Sequence, residues 1–155
     1  MPSVREQLRS DLHDAMRAKD GRRRSTIRML EAAIKNAEIE KRGAELADAD
    51  ILAILQRQVR QRRESIEQYV SGNREDLAEI ERVEIGIIEQ YLPRQLGRDE
   101  VEARARAVIE QVGASGPGDR GKVMGMLMKE LRGEADGSLV NAVVGELLAE
   151  AAESE

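Results

Sequence analysis

Several residue types are scarce in this chain of 155 residues. It has no Cys, Trp or Phe, and its aromatic residues are Tyr69 and Tyr91. Without Cys there can be no disulfide, thiolate nucleophile or thiolate metal site. With so few aromatic residues, the core has to be built from Leu, Ile, Val, Ala and Met. That composition favours packed helices over a β-sheet.

Long apolar runs are missing as well. The chain has no stretch of roughly 18 apolar residues, the length needed to span a bilayer, and its first residues do not resemble a signal peptide. We therefore expect a cytoplasmic protein that does not bind a membrane. The net charge is -5, from 25 Lys and Arg against 30 Asp and Glu. A nucleic-acid surface would have to be a local basic patch, since the chain as a whole is acidic.

Apolar residues recur at helical spacing along the chain, as in Val4, Leu8, Leu12 and Met16. No segment alternates with period two, so the pattern predicts seven helices and an all-α fold. Pro93 ends the fourth helix, because proline disfavours helical geometry in the residue before it. We place a domain boundary there. The prediction is a four-helix N-terminal domain of residues 1–93 and a three-helix C-terminal domain of residues 94–155.

Helix ends can also be read from the sequence. Ser3 and Glu6 have the spacing of a capping box, in which each side chain accepts a backbone N–H of the other residue. Asn73 is expected to cap the fourth helix, and Ala47 is a poor cap for the third. Natural helix stops are Gly43, Gly72 and Gly113.

The segment GKVMGMLMKELRGEADGSLV, residues 121–140, holds four glycines. Glycine costs a helix interior about 1 kcal/mol relative to alanine. Gly121 and Gly125 lie one turn apart, so we expect a neighbouring helix or a ligand to approach their backbone closely. Gly133 can adopt the left-handed conformation that ends a helix, and Asp136 can cap the helix that begins near Gly137.

This segment resembles the C-terminal motif of the GatB/YqeY family. Three further matches are STIRMLEAAIKN at 25–36, QRRESIE at 61–67 and EQYLPRQL at 89–96. Together they are distributed along nearly the whole chain. The resemblance is to free-standing YqeY-like proteins and to the tail domain of the B subunit of the tRNA-dependent amidotransferase. It identifies the following residues as structural parts of the family motif: Gly121, Gly125, Gly133, Asp136 and Gly137.

The resemblance implies a function as well. In the amidotransferase, the tail helps to hold mischarged tRNA while other parts carry out the chemistry. The family name implies a carbon-nitrogen ligase with glutamine as amido donor. This chain resembles the tail region alone, so we predict no catalytic residue, metal or cofactor of its own.

Basic residues cluster near the start of the chain. Between residues 5 and 42 there are 11 basic and 7 acidic residues, a local net charge of +4. Solvated, salt-bridged helix faces are the simpler interpretation, and contact with RNA phosphates is the other. Candidate RNA-binding residues are Arg22, Arg23, Arg24, Arg28, Arg60, Arg63, Lys122, Lys129 and Arg132.

Two other motifs have structural interpretations. Residues 116–122 approach a phosphate-binding loop, but Val123 replaces the Ser or Thr that would bind magnesium, and a helical pattern precedes the loop where that motif needs a strand. His13 is the only histidine. Its helical neighbours are not metal ligands, so we interpret it as a surface residue.

Three hypotheses about function follow. The first is a non-catalytic tRNA-binding or tRNA-related accessory module, with tRNA as its partner. The second is a protein-interaction adaptor that binds a protein partner through the C-terminal domain, using Gly121, Gly125, Met124, Met126 and Met128. Core packing is the simpler interpretation of at least half of these five residues. The third is an accessory to a glutamine-dependent carbon-nitrogen ligase reaction.

Overall fold

Seven α-helices account for most of the part of the chain that the structure, a computed structural model, describes, which is residues 2–154. Among these residues there is no β-strand, so the prediction of an all-α fold is confirmed. The helices are α1 (Val4–Arg17), α2 (Gly21–Glu40), α3 (Asp48–Ser71), α4 (Glu75–Glu89), α5 (Arg98–Val112), α6 (Arg120–Glu130) and α7 (Gly137–Glu153). A short 3-10 helix, Pro117–Asp119, leads into α6.

The chain forms two compact units, Met1–Pro93 and Arg94–Glu155. The first contains α1 to α4. In this unit α1 packs against α2, and the long helix α3 packs along α4. The core is aliphatic, and Ile27, Leu30 and Leu55 are fully excluded from solvent. These apolar residues come from the helical periodicity seen in the sequence.

The second unit contains α5, α6 and α7, and each of these helices contacts the other two. Its core includes Val101, Val123, Leu127, Leu131 and Val144, all fully buried. Met124, Met126 and Met128 are partly buried and pack against this core. This agrees with core packing as the role of the methionines, and whether the remaining exposed part of this surface binds a protein stays a prediction.

Most helix ends lie where the sequence predicted them. Ser3 and Glu6 form the capping box at the start of α1, and the Asp136 side chain accepts the Ser138 N–H at the start of α7. Gly113 ends α5 in the left-handed conformation, with a φ of 70°. Ala47 is the N-cap residue of α3, and its side chain makes no capping hydrogen bond. These outcomes follow from local chemistry, because a cap and its partner lie within a few residues.

The expected cap at Asn73 is wrong. Arg74 occupies the N-cap position of α4, and its side chain makes no capping hydrogen bond. Asn73 instead has a positive φ of 57° and forms part of the turn between α3 and α4. Asn tolerates this left-handed conformation better than most residues do. The turn geometry therefore decided its role.

Within the described residues no neighbouring helix approaches Gly121 or Gly125, so that part of the prediction is wrong, and approach by a ligand stays a prediction. A Cβ added to either glycine would meet nothing within 4 Å, and both residues are exposed. Gly145 of α7, which the sequence did not single out, is the described glycine with the nearest neighbour. Its added Cβ would lie 2.9 Å from Nη2 of Arg120, whose guanidinium donates to Asn141 Oδ1 at 2.9 Å.

The segment before α6 is not a phosphate-binding loop. It follows helix α5 rather than a strand, and its hydrogen bonds stabilise a local turn. The Ser115 N–H donates to Asp119 Oδ2 at 2.9 Å. No helix in residues 2–154 is long and apolar enough to cross a membrane.

Candidate functional site

The predicted basic cluster at the start of α2 divides into paired and unpaired residues. Arg22 donates to Glu84 of α4 at 3.3 Å, and Arg23 donates to the Gln90 side chain at 2.8 Å. Arg24 and Arg28 are exposed, and neither forms an ion pair within the part of the chain that the structure describes. Half of the cluster therefore holds α2 against the end of α4, and the other half faces solvent.

Arg24, Arg28 and Lys35 lie on one face of α2, because they are separated by one turn and then by two turns of helix. Lys35 is also exposed and has no ion-pair partner within residues 2–154. Ile39, one turn beyond Lys35 on the same face, is 62% exposed. We call these four residues the α2 stripe. Over their span the helix rises about 22 Å.

The other candidate RNA-binding residues are divided between the two units. Arg63 of α3 lies 3.6 Å from Glu89 of α4, and Arg60 is half-buried. Lys122, Lys129 and Arg132 are exposed around α6. Whether any of these residues contacts RNA stays a prediction. The motif residues Gly133 and Gly137 have roles in the backbone. Gly133 adopts the left-handed conformation, with a φ of 72°, and Gly137 is the first residue of α7.

Arg62 is the feature that sequence reasoning missed in this region. Its side chain is only 7% exposed, and its Nε lies 3.1 Å from Glu84 and 3.8 Å from Glu81. Its Nη1 donates to the Gln58 side chain at 2.8 Å. Burial, together with the nearby Glu84, raises the pKa of Glu81, and Arg62 opposes this rise. The network joins α3 to α4 and, through Arg22, to α2.

Tyr91 makes a second contact that the sequence did not reveal. Its hydroxyl donates to Asp11 of α1 at 2.5 Å. Burial of the phenol, followed by its hydrogen bond to the Asp11 carboxylate, raises the pKa of Tyr91. No spacing rule could identify this pair, because the two residues lie 80 positions apart. The hydrogen bond connects the segment that follows α4 to α1.

A cleft of about 530 Å³ lies between α1 and α2. We call it the α1/α2 cleft. Its lining residues are Arg5, Leu8, Arg9, Leu12, His13, Glu31, Ile34, Lys35 and Glu38. His13, interpreted from the sequence as a surface residue, is exposed at the edge of this cleft. Among residues 2–154, no group of three His, Cys, Asp or Glu side chains could hold a metal ion.

Glu38 closes one end of the cleft. Its carboxylate accepts the Leu46 N–H at 3.1 Å and pairs with Arg5 at 2.5 Å. The Leu46 N–H is the main cause that lowers the pKa of Glu38 below the usual 4.5, with Arg5 adding to it. Both interactions favour the ionised form.

This pKa shift predicts an acid-dependent contribution to stability. Because the pKa of Glu38 is lower in the folded state, the contribution is present above pH 4.5 and is lost as the pH falls below that value. We expect Glu38→Gln to lower the urea midpoint at pH 7 and to have a smaller effect at pH 3. Glu40→Gln, an exposed neighbour, serves as the control. Equal midpoint losses for Glu38→Gln at both pH values would contradict the prediction.

Comparison with known proteins shows several mitochondrial relatives. The chain is 37% identical over 112 residues to "Altered inheritance of mitochondria protein 41, mitochondrial" from Lachancea thermotolerans, covering 71% of this chain and 60% of the relative. The protein of the same name from Kluyveromyces lactis is 38% identical over 113 residues, with the same coverage. The one from Pyrenophora tritici-repentis is 29% identical over 149 residues, covering 94% and 81%. The chain thus spans about three fifths of the length of the first two relatives.

These relatives overturn two predictions. The prediction of a tRNA-related amidotransferase module is wrong, because the relatives carry names that refer to mitochondrial inheritance. The prediction of a cytoplasmic location is contradicted by the same names. The physical reason for the first error is that a local excess of arginine does not specify RNA. In the structure, Arg22 and Arg63 pair with glutamates of α4.

The family itself is well defined. Residues 5–148 match the family model described as "Yqey-like protein", so the match includes all seven helices in whole or in part. It also covers the four sequence segments on which the resemblance rested. The relation to the tail of the amidotransferase B subunit, and the absence of a catalytic site, stay predictions. The chain belongs to the family of Yqey-like proteins.

Proposed function

We propose that this chain is a docking protein that binds an acidic segment of a partner protein along the α2 stripe, in the mitochondrial setting that the names of its relatives indicate. The observation that carries the proposal is the position of Arg24, Arg28 and Lys35, which are exposed on one helix face and form no ion pair within 4 Å among residues 2–154. Many other arginines of the first unit are neutralised by glutamates, as Arg22 and Arg62 are by Glu84.

Charge complementarity defines the partner. The α2 face holds Arg24, Arg28 and Lys35, with Glu31 half-buried at its edge, which leaves a net charge of +2. An acidic segment would neutralise these cations and would be steered toward them by their field. Because the whole chain carries a net charge of -5, an acidic segment is attracted by a local group of cations such as this one and not by the chain as a whole.

The apolar end of the stripe favours a protein over a membrane. Ile39 is 62% exposed and can fill a pocket on a partner, as apolar anchors do at protein interfaces. A membrane-bound helix needs a wide apolar face that is free to enter the bilayer. The apolar residues of α2, including Ile27, Leu30 and Ile34, are buried in the core of their own unit.

Complementation tests the proposal in its mitochondrial setting. The chain, carrying an added mitochondrial targeting segment, is expressed in Kluyveromyces lactis lacking its own relative, and mitochondrial inheritance is scored. We expect rescue by the unchanged chain and no rescue by Arg24→Glu/Arg28→Glu/Lys35→Glu. The matched control is Arg57→Glu/Lys122→Glu/Lys129→Glu, which reverses three exposed cations elsewhere and should rescue.

The outcomes separate the parts of the proposal. Failure of the unchanged chain to rescue would contradict the shared mitochondrial setting. Rescue by the stripe variant, or loss of rescue in both triple variants, would contradict docking through the α2 stripe. A photo-crosslinking residue at position 28 gives the direct measurement. It should capture an acid-rich protein segment after nuclease treatment, in salt-sensitive fashion, and the same probe at position 57 should not.

A further inference from the structure

We propose that Met29 is an oxidation site, at which a peroxide converts the thioether to a sulfoxide whose oxygen accepts a hydrogen bond from Arg62. The oxidised side chain then ties α2 more strongly to α3. The inference rests on the exposure of Met29 and on the donor beside its sulfur, and it does not depend on docking through the α2 stripe.

Met29 is open to a small oxidant. It is 51% exposed on α2, and Met16 of α1, which is 47% exposed, is the other exposed methionine among residues 2–154. Met124, Met126 and Met128 are partly buried against the core of the second unit. Because oxidation follows exposure, we expect Met29 and Met16 to react before the three methionines of α6.

The two exposed methionines differ in what lies beside the sulfur. Nη2 of Arg62 donates to the Met29 sulfur at 3.8 Å, whereas the Met16 sulfur accepts no hydrogen bond from residues 2–154. A thioether sulfur is a weak acceptor. The sulfoxide oxygen is polar and is bonded to that same sulfur, so it lies within reach of the guanidinium and accepts its N–H more strongly.

The Arg62 guanidinium has one nitrogen that lacks a strong acceptor. Its Nε donates to Glu84 at 3.1 Å and its Nη1 to the Gln58 side chain at 2.8 Å, but Nη2 donates to no group among residues 2–154 other than the Met29 sulfur. The side chain is only 7% exposed, so little water reaches it. A sulfoxide oxygen would therefore add a charge-assisted hydrogen bond and leave the ion pair with Glu84 in place.

The oxidation is a two-electron reaction with hydrogen peroxide. A lone pair of the Met29 sulfur attacks one peroxide oxygen, and the S–O bond forms as the O–O bond breaks. The second oxygen takes up the proton of the first and leaves as water. Sulfur is oxidised and the peroxide is reduced. A sulfoxide reductase that uses a thiol as reductant reverses the change.

Mild treatment of the folded full chain with hydrogen peroxide, followed by peptide mapping by mass spectrometry, tests accessibility. We expect Met29 and Met16 to be oxidised about threefold or more faster than Met124, Met126 and Met128. Oxidation of Met29 no faster than that of the α6 methionines would overturn the inference.

Stability after oxidation distinguishes Met29 from an ordinary exposed methionine. Mild peroxide oxidises Met29 in Met16→Leu and Met16 in Met29→Leu, and Met1 is common to both chains. The urea midpoint is followed by NMR at the amides of α2 and α3. Oxidation should raise it by about 0.3 M or more in Met16→Leu, because Arg62 gains a strong acceptor. In Met29→Leu it should stay within about 0.1 M, and equal shifts in the two chains would overturn the inference.

Glutamine imitates the sulfoxide, since its side-chain oxygen takes the place of the oxygen on sulfur. Met29→Gln should have a urea midpoint about 0.3 M or more above that of Met29→Leu, and the same two substitutions at Met16 should show no such gain. In an Arg62→Ala background the gain at position 29 should disappear. A gain that persists without Arg62, or an equal gain at position 16, would contradict the proposed hydrogen bond. The comparison with position 16 leaves Arg62 unchanged, so it decides the question even where Arg62→Ala unfolds the unit.

Discussion

Arg62→Ala is expected to lower the free energy of unfolding of the N-terminal unit by about 3 kcal/mol. The Arg62 side chain is 7% exposed, and the Glu84 side chain beside it is 12% exposed. Removal of the guanidinium leaves the carboxylates of Glu84 and Glu81 in a poorly hydrated position without their main partner. Removing one member of a buried ion pair costs far more than the pair itself contributes. Urea denaturation followed by circular dichroism gives the measurement.

Two variants test this explanation. Arg63→Ala removes a neighbouring arginine that is 62% exposed and pairs with Glu89 at 3.6 Å, so it should cost about 0.5 kcal/mol or less. Adding Glu84→Gln to Arg62→Ala should recover part of the loss, because it removes one of the two carboxylate charges left beside each other, and Arg22 alone pairs with Glu84 after Arg62 is lost. Similar losses for Arg62→Ala and Arg63→Ala would show that the buried network does not stabilise the unit.

Leu127→Ala is expected to cost the C-terminal unit about 3 kcal/mol. Leu127 is fully buried, and it shares its core with Val123 and Leu131. A unit of about 60 residues rarely has more than about 3–5 kcal/mol of stability from its core. We therefore expect α5 to α7 to lose most of their amide protection in hydrogen exchange. Retained protection in α1 to α4 is the result that two independently folding domains, 1–93 and 94–155, would give.

Met126→Ala is the matched control, because Met126 is partly buried on the same helix and packs at the edge of the same core. It should cost about 1 kcal/mol or less, since less apolar area is lost from the interior. Equal loss of protection in the two variants would contradict the packing described for α6. Loss of protection throughout the chain in Leu127→Ala would contradict two independently folding domains.

The helices and many of their ends could be predicted because their causes are local. Apolar spacing places Leu8, Leu30 and Leu127 on buried faces, and the caps at Ser3 and Asp136 act on backbone groups within three residues. The error at Asn73 is consistent with this reasoning. Both an N-cap and a left-handed turn suit Asn, and the packing of α3 against α4 selected the turn.

The candidate sites were less predictable, because residues distant in the chain decide whether each cationic side chain is paired with a carboxylate or exposed to solvent. Arg22 and Arg24 look alike in the sequence, yet Arg22 pairs with Glu84 and Arg24 faces solvent. The methionines of α6 were compatible with core packing and with an exposed surface, and in the structure they are partly buried against the core of the second unit. The α1/α2 cleft has no sequence motif at all.

The sequence by itself determined an all-helical chain, its family and most of its helix ends. Helical periodicity and capping depend on residues that are only a few positions apart in the sequence. They can therefore be predicted without knowing which residues lie nearby in space. Tertiary structure decided that Arg62 is buried between glutamates and that Tyr91 reaches Asp11. It also decided that Arg24, Arg28 and Lys35 form no ion pair with any of residues 2–154. The reason is geometric: an ion pair or a cleft exists only where helices distant in the chain are packed together.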